Sequence, residues 1–346
     1  MKVLYAIQGT GNGHISRARE IIPLLQKRCE TDILISGYQA DLDLPFEVKY
    51  RLQGLSFVFG RNGGIDFRKT YKKANTRNLL NEIRELPVKE YDFVLNDFEP
   101  VSAWACYQNK VPCIALSHQS SLLDKQTPKP KLKDSLGSFI LKNYAPASFH
   151  IGLHFSRYSH NIFTPVVRKE IREAQKEVNG HYTVYLPAYD TKTLVKVLGK
   201  IPEADWQVFS KHCKLPLTIN NLEIKPVDDQ AFLQSLITSN GVLCGAGFET
   251  PAEALFLGKK LMVVPMQNQF EQQHNALALK GLGVPVIRKL KASKIEEIRD
   301  WINSDYRIEI TYPNVTDRII SRIFEMYVAG EFPRGKWADK FKLTPR

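Results

Sequence analysis

The sequence predicts an α/β protein made of two doubly wound halves that face each other across a cleft. Three observations lead there. Short apolar runs alternate with longer amphipathic stretches. The alternation breaks once, near the middle of the chain, and restarts. Each half also carries a glycine-rich turn directly after one of its apolar runs. Strand, helix, strand in this rhythm calls for parallel pairing through right-handed crossovers. In such sheets, ligands bind beyond the carboxyl ends of the strands.

The elements follow in order. Val3–Ile7 is a compact apolar run ending in glycines, the mark of a buried strand. Ile15–Arg28 spaces Ile21, Ile22, Leu24 and Leu25 among charges and predicts a helix. Asp32–Ser36, Phe93–Asn96, Pro112–Leu116 and Phe149–His154 read as further strands, with a helix over VSAWACYQNK between the second and third of these. The rhythm stops at Phe155–Asn179, where Thr164-Pro165 precedes a charged helical run, RKEIREAQKE, expected to connect the halves. It resumes with strands at Thr183–Leu186, Trp206–Phe209, Gly241–Cys244 and Lys260–Pro265. The expected domains are 1–162 and 163–330, followed by a polar tail, 331–346, that Phe332, Trp337 and Phe341 are placed to anchor.

With 43% hydrophobic and 24% charged residues, the 346-residue chain is globular and long enough for two cores. Its net charge of +12 favours anionic partners such as phosphorylated substrates or anionic lipid, although solubility alone accounts for it equally well. Cys29, Cys106, Cys113, Cys213 and Cys244 lack metal spacing, and Cys113 and Cys244 read as core residues, so a reducing compartment is expected. The N-terminus has no signal-peptide pattern, and no apolar stretch approaches the roughly 20 residues of a membrane span. The expected location is cytoplasmic, with any membrane contact peripheral and on the inner face.

Gly9–His14, GTGNGH, follows the first strand and opens a helix. Glycines there allow close backbone approach, and the helix N-terminus supplies N–H groups and partial positive charge for an anion. A dinucleotide fingerprint would need glycine where His14 stands and an acidic residue about twenty positions on, where this chain has Ser36 and Gly37. No Gly-Lys-Ser/Thr makes it a P-loop. Gly11, Asn12 and Gly13 are therefore candidate loop residues, with His14 facing the cleft. A plain strand-to-helix turn is the alternative.

The second turn lies in Gly241–Ala276, GVLCGAGFETPAEALFLGKKLMVVPMQNQFEQQHNA. Gly245 and Gly247 open it, and a helix is expected from about Pro251 with Thr250 as N-cap and Glu253 at capping-box spacing. The same geometry suits a diphosphate. The next strand ends in a loop holding Gln267, Asn268, Gln269, Gln272, Gln273 and Asn275. Amides offer both donors and acceptors, which sugar hydroxyls require.

This block resembles the donor-binding region of glycosyltransferases of the family 28 type. That group includes the lipid II-forming N-acetylglucosaminyltransferase and the monogalactosyldiacylglycerol synthases. The likeness rests on Gly245, Gly247, Thr250, Glu253, Pro265, Gln272, Gln273, Asn275 and Ala276, and on GTGNGH, which is similar to the glycine loop of the same enzymes. It implies the GT-B fold, two facing Rossmann-like domains with the donor in the C-terminal half and the acceptor in the N-terminal half. It implies a nucleotide-sugar co-substrate, a UDP-sugar first of all, and no other cofactor. Glu253 would hold the ribose hydroxyls, Thr250 with Gly245 and Gly247 the diphosphate, and Gln272 and Gln273 the sugar. The loop offset differs from the family pattern, so Gln269 and Glu271 stay candidates for the sugar contact.

Inverting transfer needs a base for the acceptor hydroxyl. Likeness to inverting GT-B enzymes implies His14. Asp97, after a strand in NDFEP, is the second candidate base, and a helix cap before Pro100 is its equal alternative. Glu99 and His118 lie at the same sheet edge and are assigned to the acceptor region, His118 as a shaping or hydrogen-bonding residue. No metal is expected. A GT-B-fold sugar-nucleotide epimerase and a non-catalytic nucleotide-sugar-binding protein are the alternatives. Leu55–Arg77 and Lys125–Lys142 mix aromatic and basic residues, among them Phe57, Phe59, Arg68, Lys69, Lys72, Lys73, Lys129, Lys131, Lys133, Leu136 and Phe139. That mixture suits a lipid or glycan acceptor at an anionic membrane surface. Nucleic acid is disfavoured, because no binding module is present.

Overall fold

The computed structural model describes residues 1–37, 44–55, 76–130, 134–175 and 178–332. In chain order, the N-terminal half contains β1 (Lys2–Gln8), α1 (Asn12–Gln26), β2 (Glu30–Ser36), β3 (Tyr50–Leu52), α2 (Thr76–Glu85), β4 (Phe93–Asp97), α3 (Pro100–Asn109), β5 (Cys113–Ser117), α4 (His118–Leu123), α5 (Ser135–Asn143), β6 (Phe149–Leu153) and β7 (Ile162–Phe163). A short α6 (Lys169–Arg172) follows in the connection. The C-terminal half contains β8 (Tyr182–Tyr185), α7 (Thr191–Leu198), β9 (Trp206–Phe209), β10 (Leu217–Ile219), β11 (Leu222–Lys225), α8 (Asp229–Thr238), β12 (Gly241–Cys244), α9 (Glu249–Phe256), β13 (Lys260–Val263), α10 (Phe270–Gly281) and α11 (Ile295–Asn303). A last helix, α12 (Thr316–Val328), closes the chain.

The first sheet has the order β3-β2-β1-β4-β5-β6-β7 and is parallel throughout. The second has the order β10-β11-β9-β8-β12-β13, parallel except where β10 pairs antiparallel with β11. Strand alternation divides the apolar residues cleanly. Val3, Tyr5 and Ile7 of β1 and Val242 and Cys244 of β12 enter one core shared by both halves. Leu4 and Ala6 enter a core of the N-terminal half alone, and Leu243 one of the C-terminal half alone. The two halves are thus joined by continuous apolar packing as well as by polar contacts.

Three features differ from the sequence expectation. The 162/163 division falls inside β7, which pairs with β6 in the first sheet. α12 returns to the N-terminal half: it packs on α1, and Phe324 and Tyr327 lie 5.7 and 5.1 Å from the Phe93 ring. The charged run after Val167 is helical only over Lys169–Arg172 in the described residues, and its positions 176–177 lie outside them. Arg168 and Arg172 are drawn into tertiary contacts instead, Arg172 Nη1 donating to the Tyr312 carbonyl at 2.8 Å, and such contacts override helix propensity. In the tail, Phe332 is buried against Phe149, as expected, while Trp337 and Phe341 lie outside the described residues. So do residues 56–75 of the basic aromatic stretch, with Lys131 and Lys133.

α12 therefore works as a strap, and its buried face should carry stability. Ile320 is fully buried in the shared core, whereas Glu325 on the same helix is exposed. Ile320→Ala should cost about 2–5 kcal/mol, and Glu325→Ala no more than about 0.5 kcal/mol. Urea unfolding of the two variants beside the parent measures both.

Candidate functional site

β1 lies between β2 and β4, so the chain reverses direction there, and the loops after β1 and β4 diverge at the carboxyl edge. The first loop is the glycine turn. A Cβ on Gly9 would press within 2.9 Å of the Ser36 carbonyl, and Gly11 caps α1 at φ 106° with open space where a side chain would stand. The second loop begins at Asp97 and turns sharply through Phe98, whose φ of 58° is rare for a bulky residue.

These two loops bring together His14, Arg17 and Asp97. Arg17 grips the Asp97 carboxylate with two groups, Nε to Oδ2 at 3.0 Å and Nη2 to Oδ1 at 2.8 Å. His14 Nδ1 lies 2.9 Å from Asp97 Oδ1. With its proton on Nδ1, the ring donates to Asp97 and presents Nε2 as an acceptor. Asp97 is fully buried and His14 is partly open. Burial alone would push the Asp97 carboxyl up, but Arg17 and then His14 outweigh it and hold it below the usual carboxylate range. Arg17 also reaches the C-terminal half, where Nη1 donates to Glu249 in the first turn of α9. Gly13 makes that contact possible, since a Cβ there would fall 2.6 Å from Glu249 Oε2. Sequence reasoning did not single out Arg17 or Glu249. The signal for Arg17 was its position three residues after His14, on the same helix face.

The neighbouring candidates resolve differently. Glu99 does not face an acceptor space: it is fully buried and caps α3, accepting from Val101 N and Ser102 N at 2.7 Å each. The cap role considered for Asp97 belongs to Glu99. His118 is also buried, its Nδ1 2.8 Å from the Leu153 carbonyl and its Nε2 2.7 Å from Asn275 Oδ1. Its ring stacks on Phe248 at 4.0 Å. His118 thus ties the halves together, a shaping role.

On the C-terminal side, β8 lies between β9 and β12, which puts the turn after β12 at the second reversal point. Gly247 there leaves open space. α9 begins two residues earlier than the capping pattern predicts. Phe248 occupies the cap position without a side-chain bond, so Thr250 is inside the first turn and free of that duty. Glu253 is buried and held by Arg168, Nε to Oε1 at 2.6 Å and Nη2 to Oε2 at 2.7 Å, and Arg168 also donates to Asp229 at 3.1 Å. Burial nevertheless raises the Glu253 carboxyl above its ordinary range, against the pull of Arg168.

The amide-rich loop divides in two. Gln272 is buried and accepts from Met266 N at 2.8 Å, and Asn275, fully buried, donates to the Ala246 carbonyl at 3.1 Å while accepting from His118. These two hold the loop's shape rather than meeting solvent. Gln267, Asn268, Gln269 and Gln273 line a cleft of about 510 Å3 together with Pro130, Asp134, His274 and Arg288. Gln269 Oε1 is buried there without a hydrogen-bond partner among the described residues.

The Arg168–Glu253 pair yields a test of how this buried carboxylate is held. Arg168→Met leaves a buried carboxylate uncompensated and should cost about 3–5 kcal/mol at neutral pH. Without the guanidinium, burial lifts Glu253's folded pKa further above its unfolded value of about 4.3. The folded variant then binds a proton that the unfolded chain does not. Its deficit should be full above the folded pKa and shrink as pH falls through it. Thermal melts from pH 8 to pH 5 check the sign.

The sequence matches the family model described as Glycosyl transferase family 1 over residues 1–304. No curated protein matches it in sequence. Among solved structures, MurG of Acinetobacter baumannii aligns over 94% of this chain and 99% of its own, at 14% identity and a TM-score of 0.56. Arabidopsis thaliana UGT89C1, crystallised with UDP, aligns over 94% of both chains at 14% identity and a TM-score of 0.58. A UDP-N-acetylglucosamine 2-epimerase aligns over 96% of this chain and 97% of its own at 14% identity and a TM-score of 0.55. These likenesses establish the GT-B fold, and the family match over most of the length establishes that the chain belongs to glycosyl transferase family 1.

Proposed function

We propose that this protein transfers a sugar from a nucleotide-diphosphate donor, a UDP-sugar first of all, to an acceptor hydroxyl, with inversion at the anomeric carbon. The observation that carries this is the His14–Asp97 pair at the reversal point of the first sheet, linked through Arg17 to the first turn of α9 in the second. A base and a diphosphate seat are thereby close across the cleft. His14 Nε2 takes the acceptor's proton as its oxygen attacks the anomeric carbon. The bond from that carbon to the diphosphate breaks, and the N-terminus of α9 with the Gly245–Gly247 turn receives the developing charge. One displacement inverts the centre. Gln269 and Gln273 meet the sugar hydroxyls. Arg168 occupies one acceptor position on each Glu253 oxygen, and a carboxylate has about four, so room remains for the ribose.

Motif likeness to the family 28 type supports a UDP donor, and the complexes of UGT89C1 with UDP and with UDP-L-rhamnose point the same way. The first experiment is UDP release from a panel of UDP-sugars with and without candidate acceptors. Acceptor-dependent release is expected, and donor turnover to an epimer without acceptor would favour the epimerase instead. His14→Ala should lose about 10²–10⁴-fold of transfer while its UDP affinity by calorimetry stays at the parent value. Glu253→Gln should weaken UDP by about 1.5–3 kcal/mol. Parent affinity in folded Glu253→Gln removes that residue from the donor site.

We further propose that the acceptor is presented at an anionic membrane surface. Phe139 on α5 is 58% exposed, and Lys125, Lys129 and Lys142 beside it in sequence are exposed as well. No helix among the described residues is long and apolar enough to cross a membrane. Co-sedimentation with phosphatidylserine vesicles should fall with salt and with Phe139→Ser. Binding absent at low salt replaces this acceptor with a soluble one.

A further inference from the structure

His14 Nδ1 has two competing neighbours. Asp97 Oδ1, an acceptor, is 2.9 Å away, and Arg17 Nη2, a donor, is 3.1 Å away. One nitrogen cannot satisfy both. With a proton, Nδ1 donates to Asp97 and leaves Nε2 bare. Without one, Nδ1 accepts from Arg17, and the proton sits on Nε2. Only the first tautomer has a free Nε2 able to accept a proton.

What decides between them is where Arg17 spends its hydrogen bonds. Its guanidinium is nearly fully buried and planar, and Nη1 is engaged by Glu249 from the other half. Among the described residues, the charged or titratable groups around this ring and its two partners are Asp97 from β4, Arg17 from α1, Glu249 from α9 and Tyr5 from β1. Tyr5 sits close to Asp97 and Arg17 but is held neutral, burial and then Asp97 raising its hydroxyl well above the ordinary value. The local balance is therefore one cation between two carboxylates. Glu249 compensates Arg17, so that Asp97 remains available to His14.

We propose that Arg17, steered by Glu249 across the domain boundary, is a positioning residue that selects which nitrogen of His14 carries the proton. This rests on His14 being the base, and it adds that the base is armed only when the first turn of α9 is docked against α1. Because α9 opens the proposed diphosphate seat, the base and the donor half are joined by a single chain of charges: His14, Asp97, Arg17, Glu249.

Histidine-selective ¹⁵N NMR on the full chain tests this without any substrate, with the His14 signals assigned by their loss in His14→Gln. In the parent, neutral His14 should show a bare Nε2 and a protonated Nδ1. Glu249→Gln removes the compensating charge, so Arg17 bears on the ring. The His14 titration midpoint should fall by about one pH unit, and the Nε2–H tautomer should grow. Arg17→Met removes the competing donor and cation. The midpoint should rise by about one pH unit, with the Nδ1–H tautomer alone remaining. A residue that merely holds the fold would not move the two variants in opposite directions. Parent-like midpoints and ¹⁵N patterns in folded Glu249→Gln, or shifts of the same sign in both variants, overturn the proposal. Should Arg17→Met fail to fold, Glu249→Gln decides alone. Failure of the base assignment would show separately, as transfer surviving in His14→Ala.

Discussion

A buried guanidinium sets the terms for the centre of this molecule. Arg17 is nearly excluded from water, and an unpaired charge there would cost several kcal/mol. Asp97 supplies two hydrogen-bond positions and Glu249 a third, from opposite halves of the chain. The carboxyl edge of β4, the first helix of the N-terminal half and the start of α9 must therefore meet. Other cross-boundary pairs act in the same direction, including His118 with Asn275 at 2.7 Å, Gln119 with Glu271 at 3.1 Å and Arg19 with Asp229 at 3.0 Å. The shared apolar core beneath them supplies cohesion. The polar pairs supply register, because each is satisfied in only one docking of the halves.

That constraint separates what the amino-acid sequence discloses from what it conceals. Strands of the parallel sheets are legible because burial on both faces leaves near-continuous apolar runs such as FVLN and GVLC. The glycine turns are legible because close approach and positive φ favour glycine, as at Gly11. Pairing over long separations is not legible. Arg17 reaches Asp97 across 80 positions and Glu249 across 232, and nothing local marks either partner. The hairpin of β10 and β11 had a local signal, the Asn220-Asn221 pair with Asn220 at φ 53°, but its strands are too short to show a period.

Helix starts illustrate a subtler limit. By type Asp97 and Thr250 are favoured N-caps and Glu99 is not, yet Glu99 is the residue that caps. The choice is made by backbone geometry. Phe98 at positive φ swings the chain so that Glu99 meets the open N–H groups of α3, which releases Asp97 for Arg17 and His14. At α9 the start shifts by two residues, which places Glu249 in the first turn, facing the other half. In both places a two-residue difference in where the helix begins decides which carboxylate is left to pair with Arg17.

The amide-rich loop follows from the same division of labour. A sugar offers several hydroxyls, and a loop meant to recognise them must first be fixed in place. Gln272 and Asn275 are buried and bonded to the backbone at Met266 and Ala246, which anchors the loop to the glycine turn beside it. Gln273 has one end on the Met266 carbonyl at 3.0 Å and still lines the cleft. Gln269 lines it too, with Oε1 unpartnered among the described residues. Buried amide oxygens without partners are costly, of the order of 1–3 kcal/mol. A hydroxyl donor arriving at Gln269 would relieve that cost, whereas the oxygens of Gln272 and Asn275 already accept from Met266 N and His118. Part of the amide set thus builds the frame on which Gln269 and Gln273 are presented to the cleft.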